Sequence, residues 1–165
     1  MIDWATLTAV WAGRRMRFVP DETPPTTPPP TYVVVLISDG AGRYLLAHIR
    51  GRGYCAPSGH IEPSESLEAA ARREAYEESG AVLKHLYLLG HYLLAPCSVG
   101  EPEPCSAPVF LAQAARLEPL SPDSESQGVR WAHIQEMPTL YYDWSPLTEA
   151  VFRYAEERRQ TLWER

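Results

Sequence analysis

The sequence predicts an α/β fold, an α/β/α sandwich around a mixed β-sheet. Three observations carry that prediction. An acid-rich helical stretch at 66–80 has strand-like runs on both sides of it. A second helical stretch follows Ser145-Pro146, with Ser as N-cap and Pro at the first position, and runs to about Trp163. Finally, 45% of the 165 residues are hydrophobic, which suits a single domain with a sizeable core.

In chain order, residues 1–19 form an N-terminal arm carrying Trp4, Trp11 and Phe18, read as a short helix followed by an extended piece. Residues 20–31, PDETPPTTPPPT, form a stiff Pro-rich linker, a spacer rather than a ligand for a Pro-binding domain. The rings of the arm must be buried on their own domain or on a second copy, so a homodimer through the arm is one expectation. The main domain then spans 32–165. Tyr32 to Ile37 and Arg43 to Ile49 are apolar, β-rich runs joined by Asp39-Gly40-Ala41-Gly42, a predicted hairpin. Arg50-Gly51-Arg52-Gly53 is a loop. After the acid-rich helix come strands near Val82 to Leu94, bent at Gly90, and Pro108 to Ala115, with loops at 96–107 and 116–128. Val129 to His133 is a short strand. Trp131 reads as core; Tyr54 reads as a packing residue, and so do Tyr141, Tyr142 and Trp144 ahead of a role in stacking on a base.

The helix itself is delimited by Ser66 as N-cap, Glu68 in the first turn and Gly80 as a left-handed C-cap. Ala69, Ala70 and Ala71 favour it. Leu67, Ala71, Glu74 and Glu78 fall on one stripe, flanked by Glu77. A surface helix turns its acids outward. Here they share the apolar stripe, so they line a semi-enclosed cleft. Acids at that density repel one another unless a cation sits among them, and all-oxygen donors suit Mg²⁺ or Mn²⁺. The ordinary alternative is a solvated Glu/Arg face with i,i+4 pairs.

The full spacing decides between them. Gly59, Glu65, Arg73, Glu74, Glu77, Glu78 and Gly80 match the seven fixed positions of G-x5-E-x7-R-E-U-x-E-E-x-G-U, where U is a bulky aliphatic residue. The segment thereby resembles the Nudix box of the Nudix hydrolase superfamily. Ala75 and Ala81 stand at the two U positions, and Pro57-Ser58-Gly59 stands where the family often has Pro-Gly-Gly. The resemblance covers about 25 residues. It implies a Nudix-like sandwich and metal-dependent hydrolysis of a nucleoside diphosphate linked to another moiety, such as a nucleoside triphosphate, a nucleotide sugar or ADP-ribose. It also implies roles. Glu74, Glu77, Glu78 and the Ser58 carbonyl resemble the metal ligands, and Arg73 with Glu65 resembles an orienting pair. The general base is either Glu74 or an acid outside the box, of which Glu125 is the first choice and Glu101 and Glu103 are fallbacks. Arg50 and Arg52 suit phosphate oxygens. His60 either faces the substrate or packs.

Charge and cysteines bound the rest. A net charge of −6 disfavours a nucleic-acid partner and leaves a small nucleotide as the expected substrate. Cys55, Cys97 and Cys105 have no metal-site spacing and form an odd set, which points to a reducing compartment, the cytoplasm. No apolar run is long enough for a membrane span. Two further readings stay open: a Nudix-like module that senses a nucleotide without turnover, and an isoprenoid-diphosphate isomerase, for which no catalytic Cys or extra ligands can be placed.

Overall fold

The computed structural model describes residues 1–95 and 103–163. Nine strands make one mixed sheet: β1 (Ala9–Trp11), β2 (Arg14–Val19), β3 (Tyr32–Ser38), β4 (Arg43–Ile49), β5 (Gly53–Cys55), β6 (Ser58–His60), β7 (Ala81–Ala95), β8 (Cys105–Leu117) and β9 (Ser126–His133). The path runs β1-β2-β7-β8-β3-β4-β5, with β6 on β3 and β9 on β4. Among the strand pairs of the described residues, β3–β8 alone is parallel, with Val34 opposite Val109. Helix α1 (Leu67–Ser79) covers one face, and a short α2 (Met137–Leu140) leads to α3 (Pro146–Trp163) on the other.

The alternation of β3 divides its side chains between the two layers. Val33, Val35 and Ile37 pack with Ala70, Ala71 and Ala75 of α1. Leu36 packs with Leu147, Val151 and Phe152 of α3. Both helices are capped as their sequences require: Ser66 Oγ accepts the Ala69 N–H at 3.1 Å, and Ser145 Oγ accepts the Thr148 N–H at 3.2 Å. Gly80 closes α1 at φ 75°, where its N–H reaches the Tyr76 carbonyl. No helix among the described residues is long and apolar enough to cross a membrane.

Three expectations change in detail. The first 19 residues contain no helix; they hold the β1–β2 hairpin, whose two-residue turn Ala12-Gly13 has φ values of 51° and 75°. β2 pairs along β7, and Trp4 packs on Phe18 and Tyr154, so these rings pack within their own chain, Phe18 buried and the other two partly so. The expected β3–β4 hairpin shares a single pair, Ser38 with Tyr44. β6 takes the first half of β3 instead, and β4 swings away to pair with β5 and β9. Trp131 is partly exposed, beneath the Arg43 guanidinium, rather than central. β7 does carry its irregularity at Leu88/Gly90. There a Cβ would lie 2.2 Å from the Val19 carbonyl, so Gly90 lets β2 approach.

Candidate active site

The small side chains of α1 bring its acids to the sheet. Ala70, Ala71 and Ala75 are fully buried, so the helix lies close to β3 and β4. Glu74 and Glu78, on the same stripe, are left 8% and 7% exposed. Glu77 stands at the rim, its side chain 55% exposed.

Arg73 ties the cluster together. Its guanidinium forks onto both oxygens of Glu65 at 2.8 and 2.9 Å, and donates to Glu74 at 2.8 Å, to Glu77 at 3.3 Å and to the His60 carbonyl at 2.8 Å. The fixed donor fork of Arg makes this division geometrically possible, and Lys could not reproduce it. The charged bonds from Arg73, with one from the Glu62 N–H, hold the Glu65 carboxyl down at about 2. The Arg73 guanidinium shifts up in return.

The loop leading into β6 meets the two buried acids. The Ser58 N–H donates to Glu78 Oε1 at 2.7 Å. At Gly59 a Cβ would sit 2.2 Å from the Glu74 carboxyl carbon, so any side chain there would displace the Glu74 carboxyl from its place beside the loop. Burial pushes the Glu78 carboxyl up to about 7; the Ser58 hydrogen bond opposes that shift and the neighbouring Glu74 charge adds to it. Burial also raises Glu74, against the pull of Arg73.

These residues fit a hard cation of a particular kind. Among the described residues no three His, Cys, Asp or Glu side chains are already gathered into a cage. Mg²⁺ needs no such cage: it is typically held by one or two carboxylates with substrate phosphates and water. Two buried carboxylates that resist ionisation because of burial, with Glu77 and Glu65 adding to the shift at Glu74 and Glu74 adding to it at Glu78, are the donors such an ion would relieve.

The acids sit in the wall of a cavity of about 1130 Å³. Glu125 lies in the same wall, exposed, and its charge is felt at Glu78. Its loop is fixed by the Ser124 hydroxyl, which donates to the Glu77 carbonyl at 2.7 Å, and by the Arg50 N–H, which donates to the Glu125 carbonyl at 2.9 Å. Of the two arginines, Arg52 lines the cavity and lowers Glu78 through its charge, whereas Arg50 is exposed and contributes its backbone. Glu101 lies outside the described residues, and Glu103 instead accepts at its carbonyl from Arg14. His60 both lines the cavity and packs on Tyr32, with centroids 4.4 Å apart. Tyr54 stacks on His48, and Trp144 packs on Phe152; Tyr141 and Tyr142 line the cavity. Cys55 is buried in the wall, and burial followed by the Glu78 charge pushes its thiol up to about 12, which disfavours the thiolate.

Sequence reasoning missed Asp143, Trp11 and Met16 in this wall. Asp143 sits at φ 49°, a left-handed position that Asp tolerates, inside a segment dominated by aromatic residues. The Ala12-Gly13 turn was the available signal for the hairpin that carries Trp11 and Met16.

A family model described as the NUDIX domain matches residues 28–154. YtkD of Bacillus subtilis strain 168, provisionally named an 8-oxo-dGTP diphosphatase, is 35% identical over 104 residues, 63% of this chain and 63% of that protein. That alignment therefore spans under two thirds of the relative. Phosphatase NudJ of Escherichia coli strain K12 is 27% identical over 139 residues, 81% of this chain and 88% of NudJ. Among solved structures, the pyrophosphohydrolase BsRppH of Bacillus subtilis, in an E68A mutant, superposes with a TM-score of 0.72 at 26% identity, covering 91% of this chain and 93% of its own.

Proposed function

Because the chain belongs to the Nudix family, we propose that it hydrolyses the diphosphate bond of a small nucleotide with Mg²⁺ or Mn²⁺ bound at the carboxylate cluster. The chain is a Nudix hydrolase; the metal and the substrate are the finer part of this reading. The observation that supports it is the buried pair Glu74 and Glu78 facing the Ser58 loop inside a large cavity.

In this reading Glu74, Glu77, Glu78 and the Ser58 carbonyl hold the ion. When bound, such an ion neutralises diphosphate charge and makes a coordinated water more acidic. Arg73 and Glu65 keep the acids aligned by the charged bonds already described. Glu125 takes the proton of the attacking water as its oxygen bonds to phosphorus and the bridging P–O bond breaks, releasing a nucleotide or phosphate. Arg52 meets the phosphate oxygens. The domain at 32–165 supplies all of these groups, in a cytoplasmic setting. The substrate class includes nucleoside triphosphates of the kind named for YtkD.

The test is a chromatographic panel of nucleoside triphosphates, nucleotide sugars, ADP-ribose and 8-oxo-dGTP with Mg²⁺, Mn²⁺ or EDTA, beside Glu78→Gln. Expected are metal-dependent products whose rate falls by roughly 10²- to 10⁴-fold in the variant. Tight nucleotide binding without turnover across the panel would replace this reading with a sensor.

A further inference from the structure

The cavity has a second, chemically different end. β6 runs antiparallel to β3 with Ser58 opposite Val34 and His60 opposite Tyr32. The strand rises about 3.3 Å per residue, so the Tyr32–His60 pair stands about 7 Å from the Ser58 position that meets Glu78. Tyr32 packs on His60 at 4.4 Å and meets the Trp11 ring edge-on at 5.2 Å. Trp11 comes from the β1–β2 hairpin, whose pairing puts Met16 opposite Leu94. All of these side chains line the cavity, and so does Ala107, which is buried on the neighbouring strand. Ala107 stands opposite Tyr92 on β7, and its small side chain takes little of that space.

We propose that this aromatic end, closed by Trp11 of the N-terminal hairpin, is a nucleobase slot, with the pentose crossing Gly59 to the carboxylate end. The inference rests on the hydrolase reading for the identity of the carboxylate end, but its own content is the hairpin. Three features commit it to a base. The end is lined by the Trp11, Tyr32 and His60 rings, tilted or edge-on to one another, which offer the aromatic surface that stacking requires. It is continuous with the anion-handling end of the same cavity. The gap between the two ends is the span of one pentose. Alternation along β6 turns the missing Gly59 Cβ toward Glu74 and away from the Tyr32–His60 face, so the path crosses bare backbone there. The hairpin lies outside residues 28–154, which the family model matches. Its two-residue turn is tight, which fixes Trp11 before any ligand arrives.

The experiment is saturation-transfer NMR of the whole protein in EDTA with guanosine, adenosine and ribose 5-phosphate, on wild type, Trp11→Ala, Trp11→Phe and Val10→Ala. Val10 is on the same hairpin, exposed and pointing away. Expected are transfer to the base protons of both nucleosides and little to ribose 5-phosphate. Affinity should be at least about tenfold weaker in Trp11→Ala, largely kept in Trp11→Phe and unchanged in Val10→Ala. The proposal is overturned if neither nucleoside binds wild type, if Trp11→Ala binds them as well as wild type does, or if Val10→Ala loses them equally. Because this binding needs neither metal nor turnover, a protein that binds nucleosides through Trp11 but hydrolyses nothing would remove the hydrolase reading and keep this one. Hydrolysis with Trp11-independent nucleoside binding would do the reverse.

Discussion

The two helices that cover the sheet bury their inner faces in opposite ways. α1 buries Ala70, Ala71, Ala75 and Ser79 together with two carboxylates. α3 buries Leu147, Val151, Phe152 and Ala155. Small residues let α1 lie close enough for Glu74 to touch Gly59 and for Glu78 to reach the Ser58 N–H. Large residues hold α3 further off, and part of the space between it and the sheet becomes the cavity, with Phe152 in its wall. One helix therefore gives up burial energy for chemistry, because a buried carboxylate resists ionisation, while the other supplies apolar burial at roughly 25 cal/mol per Å².

The sharpest break in this comparison sets Phe152→Ala against Glu78→Gln. Phe152 is 1% exposed and meets Tyr44, Tyr141 and Trp144 ring to ring. Its truncation should cost about 3–5 kcal/mol of stability in urea unfolding. Glu78→Gln replaces a buried acid by a neutral amide that still accepts the Ser58 bond, so at pH 8 without metal its midpoint should stay equal or rise while activity collapses. A Glu78→Gln protein as unstable as Phe152→Ala would mean that α1 is an ordinary structural helix.

A smaller effect sharpens the same contrast. Ala71 is fully buried against the sheet. Ala71→Leu should overpack that contact at a cost of about 1–3 kcal/mol and lift the helix. Turnover should then fall out of proportion to stability, since the acids leave the Ser58 loop. If activity survives in the folded fraction, close approach of α1 is not what sets the site.

Much of this was legible in the sequence where a residue type has one physical use. The caps at Ser66 and Gly80 and the inward stripe of Glu74 and Glu78 could be placed from spacing alone, because helix geometry fixes neighbours three and four residues apart; the Arg73–Glu65 pair came from the resemblance, since Glu65 precedes the helix. The β3–β4 splay could not, since it depends on β6 competing for the same strand edge. The hairpin wall was missed for a related reason. Trp11 and Met16 reach the cavity only through pairing between β2 and β7, some 75 residues apart along the chain. Periodicity carries no information about such a partner. Arg50 and Arg52 looked equivalent in sequence, and only the turn at Gly51 separates the one in the wall from the one outside it.

The smallest expected effect separates two acids of the same cluster by the sign of their response to pH. Glu65 is held at about 2, below its ordinary 4.5, so its contribution is present above pH 4.5 and fades as the pH falls toward 2. Glu78 is raised to about 7, so its contribution is full below pH 4.5 and is lost as the pH climbs through 7. The Glu78 step involves at most one proton, which limits its slope to about 1.4 kcal/mol per pH unit. Without metal, Glu65→Gln should therefore flatten the acid limb of the stability profile, and Glu78→Gln should flatten the limb between pH 4.5 and 7. Adding Mg²⁺ should steepen the difference in the other direction, because an ion that needs the Glu78 carboxylate binds more tightly as that proton leaves. Isothermal titration with Mg²⁺ at pH 6 and pH 8 reads this directly. Equal affinity at the two values would mean that Glu78 does not exchange a proton for the ion, and the role of the buried stripe of α1 would have to be assigned to packing alone.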